Sequence, residues 1–272
     1  MIKFFKKIRL RLLSPGPGGS PNTSSRITKY LLYAIGEIIL VVIGILIAIQ
    51  INGWKIASDN KKLEKATLIN LRRDLNDDIR ELQRVSSFKT TQKETCDRLL
   101  AYIINPEIPV TDASQFDNDV TRLVYFILPS LNSTAFETAK NNGHINFIRN
   151  DSLVDLISKY YSDITLDQHV TETKRFTNSF SESVLMKRYR IFNKNTYALD
   201  GLDGSYLLPG YENDNRFQFS AEAFRRDMEV ENYINSFSIR LKIGINFLDN
   251  KRLWAEQLIE IINMEIENID QK

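Results

Sequence analysis

Residues 30–51 read YLLYAIGEIILVVIGILIAIQI, with Glu37 the one charged side chain in the run. At 1.5 Å per residue this segment is about 33 Å long as a helix, against a bilayer hydrocarbon core of about 30 Å. A soluble core helix is rarely apolar on every side for this length. The run is also longer than the apolar region of a cleaved signal peptide. Ala48-Ile49-Gln50 does not form a small-residue cleavage site. The segment therefore predicts one uncleaved transmembrane helix near the N-terminus. Tyr30, Tyr33 and Trp54 fall where interfacial aromatic rings sit.

Orientation follows from charge. Residues 1–29 hold seven basic side chains and no acid, which predicts a cytoplasmic N-terminus and a C-terminal domain across the membrane. Within residues 1–13, Ile2, Phe5, Ile8 and Leu12 share a helical face between basic residues. This cytoplasmic segment reads equally as a lipid-surface helix or as a topology signal. Residues 14–29 begin SPGPGGSPNTSS and read as a flexible linker. Beyond residue 29 there are 29 basic and 34 acidic residues, so the large domain leans acidic and nucleic acid is not its expected partner.

Residues 55–272 are expected to form an all-α domain, an antiparallel bundle of long helices outside the cytoplasm. Gly (11) and Pro (7) are scarce, which favours long elements. Ser58-Asp59 suggests an N-cap, and Asn105-Pro106 a stop. Between them Leu68, Leu71, Leu75, Ile79, Leu82, Val85, Leu99 and Ile103 make an apolar stripe. Asp112 with Gln115 suggests a capping box for a helix whose face (Phe116, Val120, Leu123, Val124, Ile127) ends before Pro129. Thr134 with Glu137 suggests a second box, and Gly143 suits a left-handed C′ position. Asn150-Asp151 caps a helix expected to run to about Phe192, with a polar gap over Asp167–Lys174. Ser220 opens the last helical region. The intervening loop, residues 193–218, is long enough to be functional or disordered. Its Tyr197, Tyr206 and Tyr211 mark it as a possible ligand or partner loop.

The segment YAIGEIILVVIGILIAIQIN, preceded by MIKFFKKIR, resembles an uncharacterised family of single-pass inner-membrane proteins of Bacteroidota bacteria. A weaker likeness extends over Phe136-Glu137-Thr138 and Ile148–Leu153. The family usually continues with an Asn-Trp-Asn-Glu-like exit, where this chain has Asn52-Gly53-Trp54-Lys55. The resemblance implies a bacterial inner-membrane location with a periplasmic domain, and it implies no activity.

Few residues carry chemistry. Glu37 inside the apolar run suggests a partner contact. Gly36, Gly44 and Ala48 are read as falling on one helix face, with Gly44 and Ala48 a small-xxx-small pair, and suggest close helix packing, self-association included. His144 near Glu137 and His169 near Asp167 lack ligand spacing, so no metal is expected. Asp200–Gly204 lacks the ligand order of a calcium loop. Asp74, Asp77, Asp78 and Glu81, interleaved with Arg72, Arg73, Arg80 and Arg84, read as ion pairs on an exposed helix. Cys96 is the only cysteine and reads as a small buried residue. No nucleotide-binding or nucleophile-elbow motif occurs, and no cofactor is expected. The sequence thus suggests a non-enzymatic interaction or scaffold protein, whose partners are the lipid bilayer and a membrane or periplasmic protein. A ligand-sensing ectodomain is the alternative, followed by an enzyme with an unrecognised site.

Overall fold

A computed structural model describes residues 23–109, 113–188 and 221–271. The expected cytoplasmic segment 1–13 and the loop bearing Tyr197, Tyr206 and Tyr211 lie outside the described residues, as do Asp112 and Ser220. Among the described residues there are helices and no strand. The chain divides into two compact units, Met1–Asp59 and Asn60–Lys272.

The helix α1 runs from Thr23 to Ile104. It starts inside the expected linker, and Ser58-Asp59 is helix interior rather than a cap. Nothing in Asn52–Ser58 stops a helix: there is no proline, and a lone Gly53 costs only about 1 kcal/mol. At its far end Asn105 leaves the helix, as Pro106 requires.

In the second unit the other elements follow in order. They are α2 (Ala113–Arg122), α3 (Thr134–Asn141), a 3₁₀ turn (His144–Phe147), α4 (Asp151–Ser162) and α5 (Thr165–Phe180). A π-helical turn (Ser181–Leu185), α6 (Met186–Arg188), α7 (Ala221–Arg225) and α8 (Met228–Gln271) complete the series. Contacts between α1 and α8 pair Lys65 with Asp270, Arg72 with Asn263, and Ser86 with Asp249. These two helices therefore run in opposite directions.

Three apolar clusters lie along them. One joins Leu68, Leu71 and Leu75 to Ile157, Leu258 and Ile262. A small central one joins Leu82 and Val85 to Leu166, Val170 and Leu248. The largest joins Cys96, Leu99 and Tyr102 to Phe180, Phe224, Phe237 and Leu241. Cys96 is fully buried, which pushes its thiol up to about 12. Where α5 crosses α8, a Cβ on Gly244 would come within 2.9 Å of His169 Nε2, so only glycine permits this approach.

Several sequence expectations are met and others corrected. Gly143 is left-handed at φ 70°, and the Asn150 side chain accepts a bond from the Leu153 amide at 3.0 Å. The helix after Asn150 breaks at Asp163, which is extended. Its carboxylate accepts bonds from the backbone N–H and hydroxyl of Thr165 and forms an ion pair with Lys251, an arrangement that opens a new helix. The box at Thr134 does not form. Thr134 is inside α3, and its amide donates to Asn132 Oδ1 at 3.0 Å. α2 stops at Arg122 rather than before Pro129. The Gln92 amide donates to the carbonyls of Arg122 and Tyr125, which a continuing helix would have used internally.

Candidate functional site

Two places in the structure set residues apart from ordinary packing. The first is the apolar part of α1. Every residue from Leu31 to Asp59 is exposed. The helix contains an 18-residue window of mean hydropathy 2.7, none of it buried, and so is a candidate membrane span. Gly36, Glu37, Gly44 and Ala48 all lie here, exposed. A Cβ on Gly36 or Gly44 would meet nothing within 4 Å. On a 3.6-residue helix Glu37, Gly44 and Ala48 share a face. The small residues leave a shallow path beside the one carboxyl.

The second is a strap of chain running from the end of α2 to the start of α4. α1 faces it with a seam at spacings of four and three: Glu64, Leu68, Leu71, Leu75, Asp78, Leu82, Val85, Lys89, Gln92, Cys96. Buried polar residues therefore stand where a coiled-coil seam has apolar ones. Four carboxylates of α1 accept backbone N–H bonds from this strap, in opposite chain order. Glu81 takes Ser130 at 3.1 Å, Asp78 takes Asn132 at 2.6 Å, Asp74 takes Ala135 at 2.7 Å and Glu64 takes Arg149 at 2.8 Å. Asp74 and Asp78 are each 1% exposed. Burial raises Asp78 above the usual carboxylate range, while the Asn132 amide and the Tyr160 hydroxyl, bonded to it at 2.9 Å, pull it down. Burial beside Asp78 pushes the Tyr160 phenol far up.

This corrects the reading of the α1 acids as exposed ion pairs. Asp77 and Glu81 do pair with Arg80 and Arg84, three residues on. Asp78 instead holds main chain ahead of α3, and Asp74 holds a free amide in the first turn of α3. A charged group sharing the leucine seam was the available signal. Asp78 lies in that seam, and Ile79, placed in the stripe from sequence, sits half-buried beside it.

Further along, α1 changes character. Lys89 is 2% exposed, and its ammonium lies 4.9 Å from the centre of the Phe126 ring. Among the described residues it has no carboxylate or carbonyl partner. Burial lowers it to about 8. Lys251, also buried, is supplied differently. It donates to the Tyr160 carbonyl and to Asp163, and lies 4.2 Å from the Tyr160 ring. His169 Nε2 sits 3.1 Å from the Arg240 carbonyl, and burial lowers its pKa. It packs against Phe247 and Gly244 and is not gathered with the carboxylates. His144 lies apart, on the 3₁₀ turn beside Phe147.

The family of unknown function DUF6090 matches residues 37–203, well over half the chain. This chain belongs to that family. The DUF6090 match begins at Glu37 inside the candidate span and takes in the carboxylate-bound strap, while α8 lies beyond it. No curated protein and no solved structure matches the chain.

Proposed function

We propose that this DUF6090 member is a membrane-anchored, non-enzymatic helical interaction protein. Its basic N-terminus faces the cytoplasm, and its antiparallel bundle stands in the periplasm of a bacterial inner membrane. Its partner is another membrane or periplasmic protein, or a second copy. One observation carries the reading: a helix long and apolar enough to span a bilayer has no buried residue in its most hydropathic window. Left in water, such a surface would be very costly. Lipid, or a partner within lipid, covers it at no such cost.

The use of the second unit's buried ionisable groups supports a role without catalysis. Asp74, Asp78 and Lys251 hold main chain together rather than lining an open cleft. The shallow groove bounded by Thr171, Lys174, Arg175, Asn178, Ser179 and Glu182 runs along the outer face of α5 onto the π-helical turn, and all six residues are exposed.

Placement is tested on the full chain carrying a C-terminal tag. The expected result is retention in the membrane pellet after alkaline carbonate washing, with the tag digested by protease added to spheroplasts. A carbonate-soluble chain, or a tag protected until the spheroplasts are lysed, would overturn the proposal. Crosslinking in intact membranes then tests the span. Glu37→Leu is expected to reduce the crosslinked adduct, and an unchanged adduct removes Glu37 from the contact.

A further inference from the structure

The outward side of α8 is the part of this helix that the core leaves unused. Ile239, Ile243, Asn246, Asn250, Leu253 and Gln257 recur at four and three residues, and all are exposed. Ile239 is 62% exposed, Ile243 42% and Leu253 46%. Beside them run Phe247, Trp254 and Ile261, seven residues apart and half-buried. A 3.5-residue repeat is the pattern two helices need to pack along a shared seam. This seam is about 27 Å long before Glu260 closes it.

Its composition selects the partner. When two copies of one helix pair in parallel and in register, each seam residue faces its own twin. Any charge there would meet its like and oppose the pairing. From Ile239 to Gln257 the seam carries no charge, although a quarter of the chain is charged. A different partner could meet a charge with its opposite, which a twin in register cannot do. Amides satisfy the condition, because each has both donors and an acceptor and can bond its own copy. Asn at such a position fixes register and partner number at some loss of stability.

Tethering selects the direction. The second unit begins at Asn60, and the end of α8 lies at that same end, where Asp270 pairs with Lys65. Two copies held in one bilayer with the same orientation are thus tethered at matching ends of α8. We infer that α8 pairs in parallel with α8 of a second copy, with Asn246 and Asn250 setting the register. The inference rests on the anchored placement proposed above and adds the partner and the surface.

Single cysteines report the pairing in membranes containing the full chain. Ile243→Cys and Gln257→Cys are made separately and oxidised with copper phenanthroline. The native Cys96 is fully buried with its thiol pushed up to about 12, so it stays silent. Each variant is expected to form a disulfide-linked homodimer, while Gln83→Cys on the exposed side of α1 stays monomeric. Adding Ile243→Asp to Gln257→Cys is expected to cut the dimer at least about tenfold, the equivalent of 1.4 kcal/mol. As residue 243 is exposed, the helical signal of the folded chain at low temperature should not change. Monomers from both variants, with the chain still in the carbonate-washed pellet, would overturn the inference and leave the anchor standing. Dimers seen only when the Ile243→Cys and Gln257→Cys chains are mixed would mean antiparallel pairing and would also overturn it. Release of the chain from the membrane would overturn the anchor itself, and with it the argument for parallel pairing.

Discussion

Asp78 and Lys89 are buried charges three helical turns apart on α1, and the protein treats them oppositely. Asp78 has the Asn132 amide on one oxygen and the Tyr160 hydroxyl on the other. Lys89 has the face of Phe126. Burial costs each charge its hydration, but only Asp78 has hydrogen bonds in exchange. The contrast teaches that a buried charge reveals little about stability until its partners are known. Lys251, surrounded by a carbonyl, a carboxylate and aromatic rings, falls on the side of Asp78.

The largest effect should come from breaking the satisfied side. Asp78→Ala strands the Asn132 amide and the Tyr160 hydroxyl in the interior, and should cost about 3–5 kcal/mol in urea unfolding of the full chain in detergent. A loss below about 1 kcal/mol would mean that the strap is not held by this carboxylate.

Relieving the unsatisfied side should do the reverse on a smaller scale. Lys89→Met keeps the length and removes the charge, and should raise stability by about 2 kcal/mol at pH 7. The gain should depend on pH. Lys89 falls from 10.5 to about 8 on folding, so below pH 8 it is charged in both states and its penalty is complete. Between 8 and 10.5 the unfolded chain binds more protons, and the wild type gains stability as pH rises. The difference between Lys89→Met and wild type should therefore shrink across that window. A constant difference would place the effect in packing instead. The smallest effect is a control on an exposed pair. Lys65→Ala removes the bridge to Asp270, whose side chains are 37% and 55% exposed, and should shift the thermal midpoint by no more than about 1–2 °C.

Much of the architecture was legible from local chemistry. Asn105-Pro106 ends α1 because the residue before proline disfavours helical geometry, and Gly143 stands where a left-handed residue is needed. Asn150 caps α4 through its own side chain. The apolar run was legible as a candidate span, and residues 31–51 of it are exposed on a helix whose most apolar window has a mean hydropathy of 2.7. The strap was not legible. The donors to Asp74 and Asp78 are main-chain amides 61 and 54 residues away, and every residue type but proline supplies one. Nothing in the strap's own letters announces that contact. The break at Asp163 was half hidden: its bonds to Thr165 are local, while Lys251 reaches it from α8, 88 residues later. The tyrosines proposed for the loop, Tyr197, Tyr206 and Tyr211, lie outside the described residues.

Because the carboxylates of α1 reach the strap through its backbone amides, the strap's letters are less constrained than the acids that hold it. Relatives sharing this arrangement should differ most at 130, and less at 132 and 149, whose side chains respectively bond the Thr134 amide and face Glu64, while keeping an acid at 64, 74, 78 and 81. In this stretch of the protein, evolutionary constraint should follow the hand that holds and not the thing held.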